Sequence, residues 1–304
     1  MKKYTFGDPA ASNILVQMVD DHDLSVIESE VSLIREFAGP DFFLIALKVD
    51  DWNRDLSPWK APAVFGDEDF GGKAQETLKA VLEELEPADR EKQYFIGGYS
   101  LAGLFALWSA CYTDIFTGVA AASPSVWFPG FTDHMRENNL HAAAVYLSLG
   151  DREERTRNPV MSEVGNRIRD TYDLLKDSGV NCVLEWNKGN HFKEPDRRTA
   201  KAFAWVLQNG AVPDDRRCML DRVVFYEQIY DELTAAVQTK AVLSNELRDK
   251  AARLEQYYTS GEWLEDYEAD EAGLFPADLK RGVLSQDGVD ELLNQLKEHT
   301  GVFS

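Results

Sequence analysis

Cysteine is scarce: Cys111, Cys182 and Cys218 are scattered through 304 residues. An odd set without paired spacing argues against a disulfide framework and against a zinc knuckle. Long apolar runs are also missing, and no segment approaches the ~20 residues that a membrane span requires. The apolar run Ile14 to Val19 is too short and too late for the hydrophobic region of a secretory signal, so the cytoplasm is the expected location. Basic residues are in deficit, 32 against 53 acidic ones, for a formal charge of −21. Such a balance argues against nucleic acid or an anionic membrane surface as partner and favours small neutral substrates. Neither G-x-x-x-x-G-K-[ST] nor G-x-G-x-x-G occurs, which removes the phosphate-loop and dinucleotide readings. No metal or cofactor is expected.

What is present has the make-up of a globular protein, 44% hydrophobic and 28% charged. Six β-rich apolar runs recur: "NILVQMV" (13–19), "FFLIALKV" (42–49), "QYFIGG" (93–98), "GVAAAS" (118–123), "AAVYLSLG" (143–150) and "NCVLEWN" (181–187). Runs apolar on both faces fit strands buried on both sides, in a parallel sheet covered by helices. Between the first two lies "DLSVIESEVSLIREF", with Ile27, Val31 and Ile34 on one helical face before a terminating Gly-Pro. The fold class expected over residues 1–210 is therefore doubly wound α/β.

Beyond "LQNGAVPDD" the character changes. Residues 211–304 hold 20 acidic and 10 basic residues, and the patterns "YEQIYDELTAAVQ", "LRDKAARLEQYY" and "GVDELLNQLKEH" are amphipathic at helical spacing. A second, all-helical domain is expected over 211–304. Its apolar faces must be buried internally, on the first domain, or in a homodimer.

The stretch "YFIGGYSLAGLFALWSAC" (94–111) runs a strand through two glycines and a serine into a helix. Small residues at Gly98, Ala102 and Gly103 around Ser100 fit a nucleophile elbow, in which the serine backbone is strained and bulky flanks would collide. The bland alternative is that small residues only let the helix pack closely on the sheet.

A serine nucleophile needs a base, and the base an orienting acid. "GDREERTRNP" follows the run 143–150 and puts Asp151 at a strand exit, with Glu153 and Glu154 as near alternatives; "NKGNHFKEPDRR" follows 181–187 and puts His191 in a loop. The order Ser100, Asp151, His191 is that of α/β-hydrolase triads. Among the other histidines, His134 and His141 lie near a helix and before a strand, and His299 is in the second domain. Only His22 also sits at a strand exit.

Residues 1–210 resemble the putative-esterase branch of the α/β-hydrolases, which includes esterase D-like and enterochelin esterase-like enzymes. The motifs carrying this are "RDLSPW" (54–59), "FGGKAQETL" (70–78), "GGYSLAGLFAL" (97–107), "SPSVWF" (123–128), "LSLGDREE" (147–154) and "GNHF" (189–192). The resemblance implies an α/β-hydrolase fold with Ser100 as nucleophile, His191 as base and Asp151 as acid, and a first clear strand that starts already at residue 13 implies that the leading β-hairpin is missing. The stretch "DYEADEAGLFPADLKRGVLS" is similar to a small acidic helical domain of unknown function found in bacterial proteins.

Two backbone N–H groups are expected to bind the oxyanion, one from Leu101 and one from Asp21 or His22 after the strand ending at Val19. The loop 50–70 mixes Trp52, Trp59, Phe65 and Phe70 with prolines, and it faces Trp127 and Phe128 as either a pocket wall or a cover over the domain edge. Arg54, Trp59, Tyr99 and Trp127 are the candidate substrate contacts. The expected function is hydrolysis of small-molecule carboxylic esters through an acyl-serine. The rivals are acyl transfer at the same site and a non-catalytic scaffold whose helical tail binds a protein.

Overall fold

The computed structural model describes residues 1–64, 66–85, 89, 92–210, 214–239, 244–276 and 279–300, with the side chains of 214–218 and 298–300 outside the description. Phe65 and the side chains of Cys218 and His299 thus lie outside the described residues, as do residues 211–213 of the domain boundary and 277–278 of the tail motif. Contacts divide the chain into two compact units, Met1–Ala211 and Val212–Ser304.

Along β2 (Asn13–Val19), Ile14, Val16 and Met18 enter one apolar cluster while Leu15 and Val19 enter another. Alternation of side chains across a pleated strand lets one run of apolar residues serve both faces of a sheet. Around it lie β1 (Lys2–Gly7), β3 (Phe43–Lys48), β6 (Gln93–Tyr99), β7 (Phe116–Ala122), β8 (Ala144–Gly150) and β9 (Asn181–Asn187), in the spatial order β1-β3-β2-β6-β7-β8-β9. All neighbours pair in parallel except β1 with β3. A two-stranded ribbon of β4 (Lys60–Ala61) and β5 (Phe70–Gly71) stands apart.

One face carries α1 (Asp21–Ala38) and α7 (Pro195–Asn209); the other carries α3 (Ala74–Leu85), α4 (Leu101–Ser109), α5 (Phe131–Glu137) and α6 (Val164–Asp177). α2 (Trp52–Leu56) lies in the connection after β3. The six apolar runs all form strands of the main sheet. The sequence reading placed no strand before residue 13, yet β1 is there. With the exposure pattern of a solvated edge strand and only Tyr4 and Phe6 turned to the core, it lacks the two-sided apolar signal that revealed the others.

Glu30 of α1 is an exception among the buried residues. It is 3% exposed and faces Gln17 of β2, whose Nε2 donates to Glu30 Oε2 at 3.4 Å. Burial, and next the charge of Asp23, push its carboxyl well above the usual range. A raised folded-state value means that stability is fully present below the unfolded-state value and is lost as pH rises through the folded one. Glu30→Gln keeps the shape and removes the titration. It is expected to melt higher than the parent at pH 8, by about 2–4 °C per kcal/mol recovered, and to lose that advantage near pH ~4. Paired thermal melts at the two pH values check this.

The second unit is helical as expected: α8 (Asp214–Gln238), α9 (Asn245–Tyr258), α10 (Gly261–Glu271) and α11 (Gln286–Thr300) enclose their own core around Val223, Leu233, Leu254, Tyr257 and Leu292. Two of its buried carboxylates are held by contacts within the unit. Fully buried Asp266 accepts from Arg222 (2.8 and 2.6 Å) and from the Tyr257 hydroxyl (2.7 Å), and Glu227 receives the N–H groups of Gly282 and Val283 (3.1 and 2.6 Å). Because each unit closes its own core, a chain ending at Gly210 is expected to keep a cooperative melt and a reactive Ser100. Circular dichroism and active-site labelling beside the full chain test it.

Candidate active site

The turn between β6 and α4 is strained as an elbow requires. Ser100 has φ 57° and ψ −117°, a region that a residue with a side chain occupies only when its surroundings force it. The surroundings do so through the backbone: Ser100 N–H donates to Ala122 O (3.0 Å), and Ser100 O accepts from Leu104 (3.1 Å) and Ser125 (3.0 Å). Gly98, at φ 155°, could carry no side chain, since a Cβ there would lie 2.6 Å from that of Ala102. Alanine at 102 thus makes glycine at 98 obligatory.

The Ser100 hydroxyl, at the C-terminal end of the sheet, lies 3.1 Å from His191 Nε2. His191 sits on the β9–α7 loop, and its Nδ1 is 2.7 Å from Glu153 Oε2. A second hydroxyl, Ser125 Oγ, is 3.2 Å from Ser100 Oγ.

Asp151 was the expected acid, and here the structure differs. The Asp151 carboxylate accepts from Gly189 N–H (2.8 Å), and its N–H donates to Asn187 O (2.8 Å), so it ties the two loops together and does not reach the imidazole. Glu153 lies one tight turn further on, with its N–H on Gly150 O (3.0 Å), and the turn swings its longer side chain inward. Its Oε1 accepts from Gly150 N–H (2.7 Å), Ser123 Oγ (2.9 Å) and Arg198 Nη1 (2.8 Å). Burial alone pushes this carboxyl up, but His191 beside it, with Gly150 N–H and Ser123 Oγ, outweighs burial and holds it below the usual carboxylate range. The third candidate, Glu154, turns away to Arg169 (3.5 Å).

Leu101 is the first residue of α4 and Asp21 the first of α1, positions whose N–H groups have no partner within the helix. The Asp21 carboxylate is turned aside onto Lys48 (2.6 Å), and the capping box of α1 is made by Asp20 and Asp23. His22 is exposed, and its carbonyl accepts from Ser25 Oγ (2.6 Å).

Of the expected substrate contacts, Tyr99 and Trp127 are largely buried, at 9% and 8% exposure. Tyr99 lies behind His191, donating its hydroxyl to His191 O (2.7 Å), and burial, then the Glu153 charge, push that hydroxyl up to about 12. Trp127 packs edge-on to Phe70 with ring centres 6.2 Å apart. Trp59 is half-buried, its Nε1 donating to Pro129 O (2.9 Å) and its ring 5.5 Å from those of Phe128 and His134. Arg54 is exposed and paired with Asp55 (2.7 Å). Trp59 and Phe70 of the 50–70 loop therefore pack on Trp127 and Phe128 of the "SPSVWF" segment. An exposed ring beside His191 is Phe192, 85% exposed and edge-on to it at 5.6 Å.

Sequence reasoning also missed Arg198 and Ser123. For Arg198 a signal existed: with Ala202 and Val206 it occupies the i, i+4, i+8 stripe that α7 buries, and a charge on such a stripe requires a buried partner. Ser123 holds φ 43°, which only the structure discloses.

A mostly parallel sheet with one antiparallel edge strand, helices on both faces and a strained serine between β6 and α4 define an α/β-hydrolase fold. Comparison with known proteins agrees. Over 198 residues the chain is 24% identical to the uncharacterized protein YbbA of Bacillus subtilis (strain 168), covering 59% of this chain and 79% of that one. The siderophore hydrolase EstA from Aspergillus nidulans superposes with a TM-score of 0.50 at 20% identity over 67% of this chain and 86% of its own. An IroE-like serine hydrolase from Shewanella oneidensis gives 0.54 at 14% identity over 95% and 90%. At these identities the likeness to solved structures is one of fold. Residues 224–303 match the family model of a domain of unknown function (DUF4298). Among the described residues no helix is long and apolar enough to cross a membrane, and no cluster of metal-ligating side chains occurs.

Proposed function

We propose that the first unit is a serine hydrolase that cleaves carboxylic esters of small molecules. One observation carries the reading: Ser100 Oγ, His191 and Glu153 form a continuous chain of hydrogen bonds, 3.1 Å to Nε2 and 2.7 Å from Nδ1, on a strained turn at the C-terminal end of the sheet. The hydrolases of like fold support the class of chemistry.

Ser100 Oγ attacks the ester carbonyl while its proton passes to His191 Nε2. The N–H groups of Leu101 and Asp21 bind the oxyanion of the tetrahedral intermediate. On collapse, the C–O bond to the alcohol breaks, and the alcohol leaves with the proton from Nε2. Water, deprotonated by the same nitrogen, then releases the acid and restores Ser100. Glu153 keeps the Nδ1 proton in place and stabilises the imidazolium at each transfer.

A fluorophosphonate probe reports a reactive serine directly. Labelling that persists in Ser100→Ala, or is absent from the parent, overturns the reading. Product analysis with competing alcohols distinguishes hydrolysis from acyl transfer.

A further inference from the structure

Four parts of the site meet at one buried guanidinium. Arg198, 2% exposed in the first turn of α7, sends Nη1 to Glu153 Oε1 (2.8 Å), Tyr99 OH (3.1 Å) and Ser123 Oγ (3.3 Å), and Nη2 to Asn190 O (3.1 Å). Tyr99 closes β6 beside the nucleophile, Ser123 follows β7, Glu153 follows β8, and Asn190 precedes His191 on the loop after β9. The Tyr99 hydroxyl accepts from Arg198 and passes its own proton to His191 O at 2.7 Å, so the base is held from behind through two routes, Tyr99 and Asn190.

Burying an ion pair costs desolvation at both ends and is a poor way to gain stability. The side chains of Arg198 and Glu153 are nevertheless only 3% and 4% exposed. Resting on the triad reading above, we infer that Arg198 is a positioning residue for catalysis. It fixes Glu153 and the His191 loop in reactive register and partly neutralises the carboxylate that His191 leans on. Both consequences follow from geometry. A planar fork with several donors can hold a carboxylate, a hydroxyl and a carbonyl at once, which a lysine ammonium cannot do with the same reach. A cation on Oε1 also draws charge away from Oε2, so the imidazolium formed during acyl transfer has a weaker counter-ion than a free carboxylate would provide. The titratable and charged groups facing Glu153 are His191 on the β9–α7 loop, Tyr99 on β6 and Arg198 on α7; the other contacts are Gly150 N–H from β8 and Ser123 Oγ after β7.

The test is a set of variants assayed on a short p-nitrophenyl ester. Arg198→Met is expected to lower kcat about 10²-fold through lost alignment while KM changes little. The acid limb of its kcat/KM profile should move up by about one pH unit, because the un-neutralised Glu153 favours the imidazolium. Arg198→Lys keeps the charge without the fork. It should leave the limb where the parent has it and restore only part of kcat. In the double variant Glu153→Gln/Arg198→Met the loss should exceed that of Glu153→Gln alone only by the part that the Tyr99 and Asn190 contacts supply, and so fall short of the sum of the two single losses, since Arg198 acts both through Glu153 and on the His191 loop. This pair is neutral and also serves if the methionine variant alone does not fold. Parent-like kcat and profile in Arg198→Met, or losses that add in the double variant, overturn the inference. If Glu153→Gln itself keeps parent kcat, the triad reading fails instead, and the two failures are told apart.

Discussion

Replacing Ser100 by alanine is expected to abolish ester hydrolysis and probe labelling while the melting curve stays that of the parent. Only the hydroxyl oxygen is removed, and the backbone contacts that force φ to 57° run through Ser100 N and O and do not involve Oγ. The members of a triad act as a unit, so losing the nucleophile should lower kcat by at least about 10⁴-fold, leaving what oxyanion and substrate binding alone can supply. The Ser125 hydroxyl, 3.2 Å from Ser100 Oγ, is not expected to rescue the reaction. It lies outside the strained turn, and no hydrogen bond joins it to His191 Nε2 among the described residues. A residual rate within tenfold of the parent would rule out Ser100 as the nucleophile.

The second large effect concerns the acid. Glu153→Gln is expected to lower kcat about 10⁴-fold, because the amide carries no charge and, with its oxygen held by Gly150 N–H, Ser123 Oγ and Arg198, presents its NH2 to Nδ1, so that the imidazole loses its working tautomer. Asp151→Asn and Glu154→Gln should each cost less than about tenfold in kcat. The Asp151 carboxylate serves Gly189 N–H, an interaction that an amide oxygen reproduces, and Glu154 meets Arg169 across 3.5 Å with both groups partly exposed, a pair worth little. The pH dependence carries a sign. Glu153 lies below the usual carboxylate range in the folded protein, so the stability it contributes is present above the unfolded-state value and is lost as pH falls through the folded one. Glu153→Gln should therefore narrow its stability deficit toward the acid end, which melts at pH 7 and pH ~3 compare.

The two units also differ in what their charges do. In the first, buried Arg198 and Glu153 converge on the proposed nucleophile's base. In the second, buried Asp266 is met by Arg222 and Tyr257, and buried Glu227 by the N–H groups of Gly282 and Val283.

How much of this was legible beforehand can be traced residue by residue. Five strands declared themselves because burial on both faces demands unbroken apolar runs, the partly exposed edge strand β9 showed only a shorter β-rich run, and the elbow declared itself because small residues at 98, 102 and 103 have few other uses together. Strand β1 and the β4–β5 ribbon stayed hidden, since a solvated edge strand and a pair of two-residue strands need no such run. The sequence by itself determined the alternating elements, the all-helical second unit and the order in which serine, carboxylates and histidine follow their strands. It could not say which of Asp151, Glu153 and Glu154 faces His191, since they lie within four residues of one loop and differ in sequence only by a methylene and a position. Tertiary structure alone decided that choice. The turn after β8 directs one carboxylate onto Gly189, one onto Arg169, and one toward His191, Ser123 and Arg198, and these last three come from residues 30 to 45 positions away along the chain. A carboxylate is fixed by the donors that surround it, and donors brought by separate strands and a helix become neighbours only when the sheet is assembled.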